Sequence, residues 1–161
     1  LAYIEQPLPA DDLLDHAELA RRLSTPICLD ESLTSATATR EALDMGACSV
    51  VCVKAPRYGS WLEAAAVLDH CAGLGIDAWV GGMLDCGLGR AANIALAAHP
   101  GASLTGDIAA TSRFFSEDIT QPVLVDPTTA SIAVPDHAGL GVDVDLDAVD
   151  RLTIRRDTVR R

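Results

Sequence analysis

Short apolar runs alternate with longer stretches of helical periodicity along most of this chain. Ala2–Ile4, Ile27–Leu29, Val50–Val53, Ala78–Val80 and Ser103–Thr105 read as five brief strands. Between them the apolar spacing changes to three and four residues. Asp11–Leu23 carries Leu13, Leu14, Ala17 and Ala20 on one face, and Ser35–Met45 stops at Gly46. Trp61–Leu74 ends before Gly75, and Arg90–Ala98 is closed by Pro100-Gly101. Val50–Val53 is apolar at every position, as in a parallel strand covered on both faces. Strands alternating with helices predict an α/β fold with a parallel sheet. A complete (β/α)8 barrel needs about 250 residues, and this chain has 161. An open sheet, or just over half a barrel, is therefore expected.

The pattern changes near Ile119. Pro122–Val125 and Ile132–Pro135 predict two short strands around a turn at Asp126-Pro127, followed by Gly139-Leu140-Gly141-Val142 and an acidic stretch. Residues 1–118 are thus expected to form the sheet-and-helix unit, and 119–161 a return segment that packs outside the sheet and ends in a solvated basic tail from Arg155 to Arg161. The chain opens on Leu1-Ala2-Tyr3-Ile4, a strand already under way, with no basic segment of a secretory signal. That opening suggests a truncated chain or a gene fragment.

Charge and cysteine usage narrow the class. Twelve basic against 23 acidic residues give a net charge of −11, the wrong sign for a nucleic-acid surface. No apolar run approaches the roughly 20 residues of a membrane helix. Five cysteines, an odd number without zinc spacing, read as small core residues of a protein from a reducing compartment, the cytoplasm.

Three of the apolar runs end in a charge. Glu5, Asp30 and Lys54 stand 25 and 24 residues apart, about one strand, one helix and two loops. Side chains at the carboxyl ends of parallel strands meet at one rim. Glu5 and Asp30 are hard oxygen donors suited to a shared divalent cation such as magnesium. Lys54, at the end of an apolar strand, is expected to have a lowered pKa and to move a proton near neutral pH. Gly81-Gly82-Met83-Leu84-Asp85 follows the fourth strand and is expected to open a helix, its N–H groups free to approach a ligand carboxylate. A rival lies just beyond, where Gly87-Leu88-Gly89-Arg90-Ala91-Ala92 matches a dinucleotide fingerprint, although Gly81 to Cys86 separate it from its strand. The histidines show no ligand spacing, and His16 and His70 are expected on helix surfaces.

Taken together, Ile4-Glu5-Gln6-Pro7, Thr25 to Ser32, Gly46 to Cys48, Lys54 to Gly59, Gly81 to Leu84, Gly87 to Asn93, Gly106-Asp107 and Gly139 to Val142 resemble the enolase superfamily. Within its muconate-lactonising subgroup, the pattern is most similar to the o-succinylbenzoate synthase and N-acylamino acid racemase family. The resemblance implies the C-terminal portion of a (β/α)8 TIM-type barrel, with a return segment to a capping domain. It implies Glu5 and Asp30 as magnesium (or manganese) ligands, Lys54 as the acid/base, and Gly82, Met83 and Leu84 lining the substrate pocket. The implied chemistry is removal of a proton α to the carboxylate of a small substrate through an enediolate. Muconate cycloisomerase or dipeptide epimerase activity, or a catalytically inactive barrel fragment, are the alternatives. The amino-terminal barrel half, capping domain, first metal carboxylate and Lys-x-Lys pair of the family are expected as missing partners of this chain, and a homo-oligomer is compatible. Asp85 where the family has Glu, Cys52 where Asn is common, and Pro56 and Ser60 in the loop after Lys54 are departures that bear on substrate.

Overall fold

The computed structural model describes residues 1–159. Four parallel strands stand in chain order: β1 (Ile4–Glu5), β2 (Ile27–Leu29), β3 (Val50–Val53) and β4 (Asp77–Val80). Their registers pair Glu5 with Cys28, Leu29 with Val51, and Val53 with Val80. The crossovers are helical, α1 (Leu13–Arg22) and α2 (Ala36–Asp44), then α3 (Ala55–Tyr58) with α4 (Trp61–Leu74). A further helix, α5 (Gly87–Ala97), follows β4.

Local chemistry sets the helix boundaries. Side chains of Asp12, Ser35 and Ser60 accept from the backbone N–H three residues on, satisfying donors that the first turn leaves unpaired. At the other end of α4, Gly75 adopts a left-handed conformation with φ of 67°, which a side chain would oppose.

Strand alternation sorts the core into two layers. Ile27, Leu29, Val51, Val53, Ala78 and Val80 face the helices and meet Ala17, Ala42, Ala64, Val67, Leu68 and Cys71. The opposite, inner face carries Cys28, Val50, Cys52 and Trp79, with Tyr3 and Leu104 against them. Leu14, assigned above to the apolar face of α1, is instead exposed, whereas His16 is fully buried.

The expected fifth strand at Ser103–Thr105 does not join the sheet, which has four strands rather than five. Leu104 N–H does donate to the Ala78 carbonyl at 3.1 Å. The neighbouring ladder position is taken by a side chain, because Ala78 N–H donates to the Ser103 hydroxyl at 3.2 Å. This hydroxyl in turn donates to Asp77, so the regular backbone pairing is broken.

The two strands expected after Ile119 are also absent. That region contains one antiparallel bridge, Asp126 with Ser131, and a short helix α6 (Leu146–Leu152) capped by Asp145. Pro122 and Pro135 each take a backbone donor from one end of an expected strand, and Pro127 lies in the turn between them, so any ladder there would be short. The basic tail is exposed as far as residue 159, and Arg160 and Arg161 lie outside the described residues.

Candidate functional site

Side chains two residues apart on a strand point to the same face. Tyr3 and Glu5, Cys28 and Asp30, Cys52 and Lys54, and Trp79 and Gly81 therefore form four matching steps on the inner face. In each pair the first residue belongs to the inner apolar layer and the second reaches the carboxyl rim. Donor atoms of Glu5, Asp30 and Cys52 lie within 4.8 Å of one another.

Asp30 is the hub. Its carboxylate accepts from Lys54 Nζ at 2.7 Å and from the Arg57 guanidinium, which also reaches the Asp30 carbonyl. The Asp30 side chain is only 3% exposed, against 13% for Lys54 and 23% for Arg57. Burial opposes ionisation of Asp30, but Arg57 and Lys54 outweigh it and hold the carboxyl below its usual range. Burial would likewise lower Lys54, yet the hydrogen bond it donates to the Asp30 carboxylate prevails and raises it. The lowered lysine expected from the sequence is thus reversed, because its strand end is occupied by a carboxylate. Glu5 is pushed up by partial burial and then by the charge of Asp30, with Lys54 acting in the other direction.

Gln6 ties two of these strand ends together. Its Oε1 accepts from Asp30 N–H at 3.0 Å and Ser32 N–H at 3.2 Å, and its Nε2 donates to the Ser32 hydroxyl at 2.7 Å. The backbone of Gln6 has φ of 37°, a left-handed conformation that a non-glycine residue adopts at a cost. Buried His16 supports the same corner, with Nδ1 2.6 Å from the Asp12 carbonyl and Nε2 accepting from Leu8 N–H at 3.3 Å. It is a structural latch rather than the surface residue expected. His70 is exposed, as read from the sequence.

Gly81 leaves room for the lysine. A Cβ there would strike Lys54 Cε and come within 2.7 Å of Cys52 Sγ. Gly82, Met83 and Leu84 line a cavity of about 250 Å³ with Arg90, Asp107, Ala109 and Phe114. The helix expected from Gly81 starts only at Gly87, and the Gly82 N–H is not free because it donates to the Asp107 carboxylate. The N–H of Gly87 donates to the carboxylate of Asp118 at 2.9–3.0 Å. An acidic side chain therefore fills the place where the dinucleotide reading would put a phosphate.

The sequence pattern assigns no role to Arg57, Gln6 or Arg90. Arg57 was within reach of it: three residues after Lys54, one helical turn brings the two cations to one side. The others depend on which loops meet in space.

Two hard carboxylates, one of them firmly ionised, suit a divalent cation of the magnesium type, whereas the soft thiol of Cys52 does not. A parallel α/β sheet with its polar groups gathered at one carboxyl rim is the arrangement shared by open α/β sheets and (β/α)8 barrels. The chain belongs to the family described as Enolase C-terminal domain-like, which matches residues 1–149. It is 49% identical over 153 residues to N-succinylamino acid racemase from an Amycolatopsis species, covering 95% of this chain and 41% of that protein. Identity is 48% over 153 residues to o-succinylbenzoate synthase of Geobacillus stearothermophilus, covering 95% of this chain and 40% of that protein. A solved member of the enolase superfamily from Listeria innocua superposes with a TM-score of 0.87 at 39% identity, covering 94% of this chain and 40% of the other. The chain thus spans about two fifths of the length of these relatives.

Proposed function

We propose that this chain forms part of the active site of a divalent-cation-dependent enzyme that removes the proton α to a substrate carboxylate, of the o-succinylbenzoate synthase and N-acylamino acid racemase kind. The observation that carries this reading is the convergence of Glu5, Asp30 and Lys54 on one inner rim. The names of its relatives support the same class. Glu5 and Asp30 would hold the cation, magnesium or manganese, which when bound supplies positive charge to the substrate carboxylate. Lys54, protonated in its pair with Asp30, returns a proton to the α-carbon from Nζ; it takes one only after shedding its own, which a cation drawing on the charge of Asp30 would ease. Arg57 shares the charge of Asp30 and fixes that carboxylate, and Gly81 gives Lys54 its path across the rim. Gly82, Met83 and Leu84 form the wall against which the rest of the substrate lies. Five unpaired thiols fit a cytoplasmic setting.

A barrel rim also needs its other strands. Two carboxylates leave most of a magnesium ion's six positions to water and further oxygens, so we infer weak cation binding and no catalysis by this chain alone. The remainder of the barrel and a capping domain are the inferred partners.

The test uses the complete gene product with an N-succinylamino acid in D2O, with and without magnesium. Deuterium entering the α-position, followed by loss of optical purity, is the expected result. Cation-dependent exchange without racemisation would favour the dehydration branch of the family. No exchange of any carboxylate substrate would refute the reading.

A further inference from the structure

We infer that Arg90 is a positioning residue that clamps the two backbone segments forming the wall of the cavity at Gly82–Leu84, and so controls substrate affinity. Arg90 lies in α5 and is 0% exposed. Its guanidinium donates to the carbonyls of Met83 at 2.9 Å and Asp85 at 3.2 Å, both in the loop after β4. The same group donates to the carbonyl of Ala109 at 2.8 Å, in the segment that follows Ser103–Thr105. Backbone carbonyls, not a carboxylate, take these donors. Burying a cation on such terms is costly beside an apolar residue of similar size.

The arrangement has a direction. Fixing the Met83 carbonyl fixes the loop that presents Met83 and Leu84, residues that are themselves 38% and 74% exposed. Phe114 covers the guanidinium, with its ring centroid 5.5 Å away, and lines the same cavity. A second link, from Gly82 N–H to Asp107, joins the same two segments. Asn93, one turn further along α5, donates to the Asp85 carboxylate at 2.6 Å and turns that side chain toward the helix. Arg90 has no hydrogen bond to Glu5, Asp30 or Lys54, so loosening it should leave the cation and proton-transfer groups in place.

This inference rests on the proposed function for its kinetic readout, and a second readout is independent of it. In the complete gene product, Arg90→Met should raise KM for the carboxylate substrate by about tenfold or more while kcat stays within about twofold, the signature of lost binding shared by ground and transition states. Arg90→Lys should recover part of the loss. Phe114→Leu, at a 42% exposed position that tolerates change, should raise KM by a few fold and stands in if Arg90→Met does not fold. Hydrogen exchange should speed up at residues 82–85 and 107–110 in the Arg90 variants, with the amides of β2 and β3 unchanged. Equal losses in kcat and kcat/KM, unchanged KM, or exchange that rises throughout the sheet or nowhere would overturn the clamp. Wild-type protein without α-proton exchange would defeat the proposed function instead, and the exchange pattern would still decide on the clamp.

Discussion

Replacing Asp30 by Asn tests the strand-end network through stability, before any catalysis is measured. The substitution keeps shape and removes one charge that faces two cations. Breaking a buried ion pair by deleting one partner costs about 3–5 kcal/mol. Lys54 and Arg57 keep 13% and 23% of their side chains in contact with solvent, so the lower end applies, about 3 kcal/mol. For a chain of this size each kcal/mol moves the midpoint by about 3 °C, which gives a fall in Tm of about 9 °C. Circular dichroism melts in EDTA measure it without a contribution from bound cation. The pH dependence follows from the directions of the shifts. Asp30 is lowered, so its contribution is complete above about pH 4 and is lost as pH falls through its folded value. Lys54 is raised, so its contribution is complete below about pH 10 and is lost as pH rises through its folded value. The gap between wild type and variant should therefore be widest from about pH 5 to pH 9 and narrow at both extremes. A fall of under about 3 °C, or a gap unchanged into acid, would refute the reasoning.

Three further outcomes follow from neighbouring contacts. Gly81→Ala should displace Lys54 and cut α-proton exchange by about 100-fold or more, with cation affinity nearly unchanged; equal loss of both would point to general collapse. Gln6→Leu strips the acceptor from two backbone N–H groups beside Asp30, costing about 2 kcal/mol and weakening magnesium binding in calorimetry, and unaltered affinity would remove Gln6 from the site. Iodoacetamide at pH 8 should label half-buried Cys86 alone in the native protein, since burial pushes Cys28 and Cys48 up to about 12 and Cys71 to about 11, and Cys52 higher still. Rapid native labelling at any of those four would contradict the packing described.

Much of the barrel portion was legible because its signals are local. Apolar runs gave β2, β3 and β4, and glycine stops closed α2 and α4. The rim charges were readable for the same reason, each closing a strand. What escaped depends on tertiary partners. Ser103–Thr105 has strand composition, yet a serine hydroxyl takes the place of a ladder bond. Lys54 sits where burial alone would lower its pKa, and only the arrival of Asp30 from β2 reverses the sign. His16 has the polarity of a surface residue but fills a corner made by Gln6 and Leu8. Arg90 read as one position in a glycine-rich motif, because its three carbonyl partners come from two separate loops.

The most direct test of the central claim is deuterium exchange at the substrate α-carbon by the complete gene product carrying Lys54→Ala, with manganese binding followed by electron paramagnetic resonance on the same sample. Loss of exchange with manganese still bound is the expected result if Lys54 handles the proton and Glu5 and Asp30 the cation, as proposed. Undiminished exchange in the variant would contradict it.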